Sequence, residues 1–438
     1  MESNKKKFNI KPLNNASFLK SEWFLASLLA VVLLAIPLDF AFGSIACISF
    51  LIVAFFGSKK TEFEFNLALF LPISFYFLMV FSVLWSIKWE LSVIALQKEL
   101  LFLLMPIAFL VQSQQNRTLI VKIIKIYSYG MVCYAIFYFA SAYLKFEETQ
   151  NKAVFYFHEL VTLDLNAIFM ASMASIALFY LVQAEKQVIN QIGIIILVVF
   201  IFFLSSKSVI FIDIVLIIWY YIYFSETAVG IKSLTVIALS SFFILSFAFV
   251  PQIKERFFTE YETAFVDNTI NKDFGEKNKV FNISLKQAWT KKEFLPNDFF
   301  PGTALRVFQI RIFKEMMLEH QKFVGGFGLN ATQDKIREKS KKYNIYSFYG
   351  DLNFHNQYIQ TFSELGFIGF LILVIMLVVN IKNAINAKDF LHIVFAFSMI
   401  VLFLTESFFC RQRGVVFFIT LYCIFNSVNY TKSKLKSS

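Results

Sequence analysis

Phe354-His355-Asn356-Gln357-Tyr358 runs into Ser363-Glu364-Leu365-Gly366 and then into the apolar stretch Leu371 to Val379. A histidine and an asparagine open what the pattern predicts to be a helix, which then becomes wholly hydrocarbon-soluble. Spanning a bilayer core takes about 20 residues, and counting back from Asn380 that span begins near Thr361. At about 1.5 Å per residue, His355 falls a turn or two above the hydrocarbon, at headgroup depth. A titratable group there can meet a lipid-borne phosphate and a water-borne partner together. The plain alternative is a histidine that only caps or flanks a helix start.

The rest of the chain gives that stretch its setting. Of 438 residues 58% are hydrophobic and 16% charged, with mean hydropathy +0.64. Soluble domains are nearer half apolar and a quarter charged, so the composition specifies an all-α, polytopic membrane protein. The 58 Phe and 18 Tyr read as lipid-facing bulk. The net charge of +11 does not imply nucleic acid, because much of the excess sits in the tails and short loops. Lys5, Lys6, Lys7, Lys11 and Lys20 precede the first apolar run, and Lys432, Lys434 and Lys436 follow the last. Positive charge marks the cytoplasmic side, so both termini are expected there. The basic start followed by an apolar run resembles a signal peptide, but a second span follows at once, which favours an uncleaved first helix. Cys47, Cys133, Cys410 and Cys423 all fall outside the large loop, and no disulfide framework is expected.

Hydropathy and flanking charge predict twelve membrane helices, roughly 22–38, 41–57, 65–87, 99–112, 123–144, 163–183, 188–204, 208–224, 233–250, 356–380, 390–406 and 414–430. Trp85 to Glu99 reads as an interfacial amphipathic piece leading into the fourth. The chain thus divides into nine helices over 1–250, a large outer loop over 251–354, and three helices over 355–438. Within the loop, Ile253 to Phe265 and Asn330 to Tyr343 read as polar helices. Thr303 is positioned to cap an amphipathic helix that runs to His320, with Leu305, Phe308, Ile312 and Met316 as its apolar stripe. Gly325-Gly326-Phe327-Gly328 ends it as a turn. Ser205-Ser206-Lys207 breaks a run too long for one helix, and Thr405-Glu406-Ser407 with Arg411-Gln412-Arg413-Gly414 forms the last outward loop.

By topology Lys207, Arg306, Arg311, His355, Glu406, Arg411 and Arg413 all belong to the outer face, a cationic rim around one histidine. Guanidinium and ammonium groups suit the oxygens of a diphosphate. A histidine at a helix N-terminus has its cationic form disfavoured by the dipole and is suited to accept a proton. Each residue also has a structural reading. Lys207 can snorkel from a turn. Glu406 can pair with Arg411 or Arg413, and Arg306 and Arg311 lie about 140° apart on their helix. Other chemistries lack their motifs: there is no His/Cys cluster at metal-ligand spacing, no P-loop, no G-x-S-x-G and no Asp-x-Asp pair. No metal and no cofactor is expected.

His355-Asn356 with Tyr358, Glu364-Leu365-Gly366 and Gly369 resembles the motif of the O-antigen ligase and O-antigen polymerase superfamily of bacterial membrane glycosyltransferases. Arg306 with its amphipathic helix and Gly326-Phe327-Gly328 is similar to that superfamily's arginine helix and glycine turn. Ser206-Lys207-Ser208 is similar to its Ser-Arg-Gly break, with lysine in place of arginine. The resemblance implies metal-independent transfer of a glycan from an undecaprenyl-diphosphate carrier to an acceptor glycolipid or glycan, at the periplasmic face of the inner membrane. It implies His355 as base and Arg306 on the donor; Lys207, Arg311, Asn356, Glu406, Arg411 and Arg413 are the further substrate-binding candidates, placed by their position at the outer face. Glu364 lies half a turn round the helix from His355, which suits packing. A repeat-unit polymerase of the same superfamily shares the donor. A transporter or flippase relaying through Lys207, Asp213 and Glu406 is the reading from another class.

Overall fold

The computed structural model describes residues 22–57, 65–112, 117–162, 165–226, 258, 260–271 and 280–428. The basic tails and the expected helix over 233–250 lie outside the described residues. The expected helix over 253–265 is described only at 258 and 260–265; at the remaining expected places a helix is present. In chain order these are α1 Glu22–Leu34, α2 Phe40–Phe56, α3 Leu67–Ser82, α4 Trp89–Glu99, α5 Leu101–Val111, α6 Arg117–Thr149, α7 Ala167–Gln183, α8 Val188–Phe203 and α9 Lys207–Tyr223. After the loop come α12 Gln357–Ala387, α13 Phe390–Leu402 and α14 Gln412–Asn426, with α10 Gly302–His320 and α11 Gln333–Lys342 as the main loop helices. Among the described residues, four stretches are long and apolar enough to cross a membrane: Leu67–Trp85, Trp89–Val111, Arg117–Thr149 and Gln357–Ala387.

Short polar side chains start several of these helices by accepting otherwise unpaired backbone N–H groups. Asp39 caps α2, Asn66 caps α3, Asn166 caps α7, Asn356 caps α12 and Asp389 caps α13. The segment expected to lie at the interface is continuous with the helix that follows it. Leu100, between α4 and α5, is itself helical (φ −55°, ψ −26°), so Trp89–Val111 is one length of 23 residues. It carries Lys98 and Glu99 into the bundle as a pair, 3.1 Å apart. Much of the phenylalanine also faces inward. Phe75, Phe102, Phe409 and Phe418 are buried and meet edge-on or tilted, the Phe102 and Phe409 rings 4.9 Å apart. They form a seam joining α3, α5 and α14.

The loop has its own core. Leu305, Phe308, Ile312 and Met316, the stripe expected on α10, are buried against Phe294, Phe300, Ile336 and Tyr343. A small sheet accompanies it: Thr269–Ile270 pairs antiparallel with Phe281–Asn282, which pairs parallel with Asp298–Phe299. Pro301 precedes α10 without a side-chain cap, and Gln321 ends it in the left-handed region at φ 52°. The Thr303 hydroxyl therefore does not cap α10 but donates to Glu260.

The glycine turn docks onto a break in α12. Gly366 adopts φ 67° there, and an added Cβ would stand 2.1 Å from the Val324 carbonyl oxygen. Such an approach is open only to a residue without a Cβ. Phe367 N–H donates to Phe323 O (2.7 Å), Phe327 N–H to Ser363 O (2.9 Å) and Gly328 N–H to Glu364 O (2.9 Å). From the other side Trp85 Nε1 donates to Gly325 O (2.7 Å) and Ile87 N–H to Phe327 O (3.0 Å). Main-chain pairing thus holds the loop between the end of α3 and the upper part of α12.

Candidate functional site

His355 lies one residue outside α12, since Asn356 is the cap and Gln357 the first helical residue. Its φ is 45°, a conformation that costs about 1–3 kcal/mol for a residue with a Cβ unless its surroundings enforce it. The surroundings do. His355 N–H donates to Asn353 Oδ1 at 2.9 Å, and Gln309 of α10 donates to the Asn353 carbonyl. Phe354 is buried, and its N–H donates to Gln360 Oε1 at 3.3 Å. Asn356 N–H donates to Ser407 Oγ (3.0 Å), Asn356 Nδ2 to Leu404 O (3.1 Å) and Gln357 N–H to Phe403 O (2.8 Å). The start of α12 is thereby fastened to the 403–411 loop.

That fastening brings Glu406 to His355. Glu406 Oε2 is 3.7 Å from His355 Nδ1, and Oε1 is 3.6 Å from an Arg306 terminal nitrogen. Both exceed hydrogen-bond length, so these contacts are electrostatic. Arg306 donates to Thr405 O, at 3.3 Å from Nε and 3.1 Å from NH2, and from NH1 to Gly302 O at 3.4 Å. Glu406 was expected to pair with Arg411 or Arg413. It pairs with Arg306 and His355 instead, because the tie between α12 and the 403–411 loop turns its carboxylate toward α10.

On the far side of Arg306, Glu260 accepts from Lys207 Nζ and from the Thr303 hydroxyl. Burial by itself would raise the Glu260 pKa. The two hydrogen bonds and the charges of Lys207 and Arg306 outweigh burial and hold it below the usual carboxylate value. The expected cationic rim is therefore a row of alternating charge: Lys207, Glu260, Arg306, Glu406, then His355. Lys207 is bound into this row rather than snorkelling.

The remaining candidates are placed elsewhere. Arg311 is taken up inside the loop: it bonds Glu315 Oε1 (3.2 Å), Lys291 O (2.8 Å) and Tyr343 OH (3.0 Å), and its guanidinium stacks on the Tyr343 ring. Asn356 acts as a cap. Arg411 is exposed just before α14. Arg413 turns away from the row, with NH2 donating to Leu38 O at 2.9 Å and its guanidinium over the Phe40 ring. Glu364 faces Gln360, which donates to it at 2.6 Å. Asp351 pairs with Arg337 at 2.7 Å. Among the described residues no three of His, Cys, Asp and Glu are grouped so as to hold a metal.

Sequence reasoning missed Glu260 and Thr303 as members of the site. The only signal was their position in a polar stretch and at a helix start, and neither feature indicates what an acid or hydroxyl will face.

A largely helical chain with four described stretches long and apolar enough to cross a membrane, and with a histidine, two carboxylates and two cations gathered where the loop meets the helices, is the make-up of a membrane protein with a charged site. Residues 192–374 match the family model described as O-antigen ligase, so over that segment the chain is similar to the O-antigen ligase family. The matched segment contains Lys207, Glu260, Arg306 and His355, whereas Glu406 follows it. No curated protein matches the chain.

Proposed function

We propose that the protein transfers a glycan from an undecaprenyl-diphosphate carrier to an acceptor hydroxyl at the periplasmic face of the inner membrane, as an O-antigen ligase. The observation that carries this reading is the Glu406 carboxylate between His355 Nδ1 and Arg306. A carboxylate beside Nδ1 orients the ring so that Nε2 is the nitrogen that accepts a proton, the logic of a base held by a third group. The acceptor oxygen attacks the anomeric carbon and its proton passes to Nε2. The bond from that carbon to the phosphate oxygen breaks, and its electron pair leaves with the undecaprenyl diphosphate.

Lys207 and Arg306 bind the diphosphate, and fixed donors of this kind stabilise the departing charge without a metal ion. A diphosphate neutralised in this way needs no general acid. Arg311, Asn356, Arg411 and Arg413 are outside this proposed centre. With both termini cytoplasmic, residues 251–354 face the periplasm and the site opens at headgroup depth on that side.

The test is a chromosomal deletion complemented with wild type or His355→Ala, followed by analysis of surface and lipid-linked glycans. The expected result for His355→Ala is long glycan accumulating on the carrier with little reaching the surface. Near-normal display from an equally expressed variant would overturn the assignment. Delivery of single repeat units to the surface would indicate the polymerase instead.

A further inference from the structure

Between the α1–α2 connection and the start of α14, a cleft is lined by Leu38, Asp39, Phe40, Gly43, Gln412 and Arg413. Arg413 is only 9% exposed, and among the described residues its Nε and NH1 have no hydrogen-bond partner. Among the described residues NH2 donates to Leu38 O, the guanidinium lies over the Phe40 ring, and no carboxylate lies within ion-pair distance of it. Leaving a guanidinium buried with unused donors and no counter-charge is costly. Arg413 also sits in the first turn of α14, where backbone N–H groups favour an anion. At the rim of the same cleft, Asp39 caps Phe40 N–H through Oδ1 at 2.7 Å, and it too lacks an ion pair among the described residues. The same cleft is therefore lined by one cation and one anion.

The surroundings indicate what kind of molecule brings the complementary charges. Leu38 and Phe40 at the mouth are 41% and 47% exposed. Below them Phe42, Ile45, Ile48 and Ile52 are exposed along one side of α2, at the 3–4 residue spacing of a single helix face. This apolar track extends about 15 Å from the cleft at 1.5 Å per residue. A charged pocket at the head of a hydrocarbon track fits an amphiphile rather than free phosphate. A diphosphate would bring more negative charge than one guanidinium neutralises and would be repelled by Asp39.

We propose that this cleft binds a zwitterionic phospholipid headgroup of the phosphoethanolamine type, with the phosphate on Arg413 and the ammonium on Asp39. A trimethylammonium group has no N–H to give Asp39, and a glycerol headgroup has no positive charge. The site is therefore selective for ethanolamine over choline or glycerol. This inference is independent of the transfer reaction, since its readout is lipid retention.

The experiment reconstitutes the full-length protein into bilayers with equal amounts of phosphatidylethanolamine, phosphatidylglycerol and phosphatidylcholine of identical acyl chains. Lipids that remain bound are then counted by native mass spectrometry. Wild type is expected to retain phosphatidylethanolamine preferentially, and Arg413→Ala to reduce that retention about tenfold or more, as loss of a charge-assisted hydrogen bond implies. Asp39→Asn keeps a capping side chain and is expected to shift retention toward phosphatidylglycerol. Gly43→Leu leaves both charges in place and fills the cleft, since a Cβ at Gly43 has only Ala35 O near it, at 3.9 Å; it is expected to abolish retention. Equal retention of the three headgroups, a wild-type preference for phosphatidylglycerol, or unchanged retention in Gly43→Leu would each overturn the proposal.

Discussion

Glu406→Gln preserves the shape of the side chain and removes the charge between His355 and Arg306. In the proposed transfer the imidazole gains a proton, and the resulting cation lies 3.7 Å from Glu406 Oε2. Opposite unit charges near 4 Å attract by about 4 kcal/mol at the dielectric of a protein surface. The His355 side chain is 28% exposed and proton transfer is incomplete in the transition state, so roughly half of that, about 2 kcal/mol, is the realistic share. At 1.36 kcal/mol per factor of ten, kcat should fall about thirtyfold. Arg306 keeps its bonds to Thr405 O and loses a competing carboxylate, so KM for the donor should stay level or fall. The assay is steady-state transfer by purified protein with a lipid-diphosphate donor, varied at saturating acceptor. If kcat stays within threefold of wild type, or the whole loss appears as a raised donor KM, Glu406 does not orient the base.

Arg306→Ala should raise donor KM. Arg311→Ala should leave donor KM near wild type and instead lower the thermal midpoint, because Arg311 braces Tyr343 and Glu315; equal effects on KM would contradict that division. Gly366→Ala should destabilise the protein by about 2–5 kcal/mol, combining left-handed strain and overpacking against Val324, and thermal unfolding in detergent measures it. Burial tends to raise the Glu315 pKa, but hydrogen bonds from Tyr343 and Lys339 and nearby cations lower it overall from 4.5. A carboxyl with a depressed folded-state pKa contributes stability above its unfolded pKa and loses it as pH falls through the folded value. Hydrogen exchange in residues 302–343 should therefore accelerate below about pH 4.5, while Glu315→Gln removes that dependence. Transfer should persist in excess EDTA; loss on chelation with recovery on adding magnesium or manganese would mean that a metal, not Arg306 and Lys207, stabilises the leaving group.

Features that depend on local sequence were legible in advance. The break at Ser205-Ser206-Lys207 follows from a run too long for one helix, and the stripe on α10 follows from its spacing. Asn356 reads as the start of α12 because a short polar side chain precedes an apolar run. The end of α12 was less legible: the helix continues past Asn380 to Ala387 and stops at Lys388 in the left-handed region, which no glycine announces. The partner of Glu406 was out of reach because it depends on the approach of segments about fifty and a hundred residues away. Nearest-neighbour reasoning chose Arg411 and Arg413, which share its short loop. Gly366 was visible as part of a motif. Its use, admitting the Val324 carbonyl, required knowing that the loop folds back on it.

The docking of the glycine turn also bears on the order in which the protein is made. The turn at 324–328 is held by residues 85–87, synthesised long before it, and by residues 363–367, synthesised after it. During translation the loop emerges while its second anchor is still inside the ribosome. The backbone contacts that fix α10, and with it Arg306, can close only once the first turns of α12 have been delivered to the membrane. A chain stalled before Gly366 would carry the earlier helices and the whole loop yet lack Glu406 and the second anchor of the turn, so the charged row forms late in biogenesis.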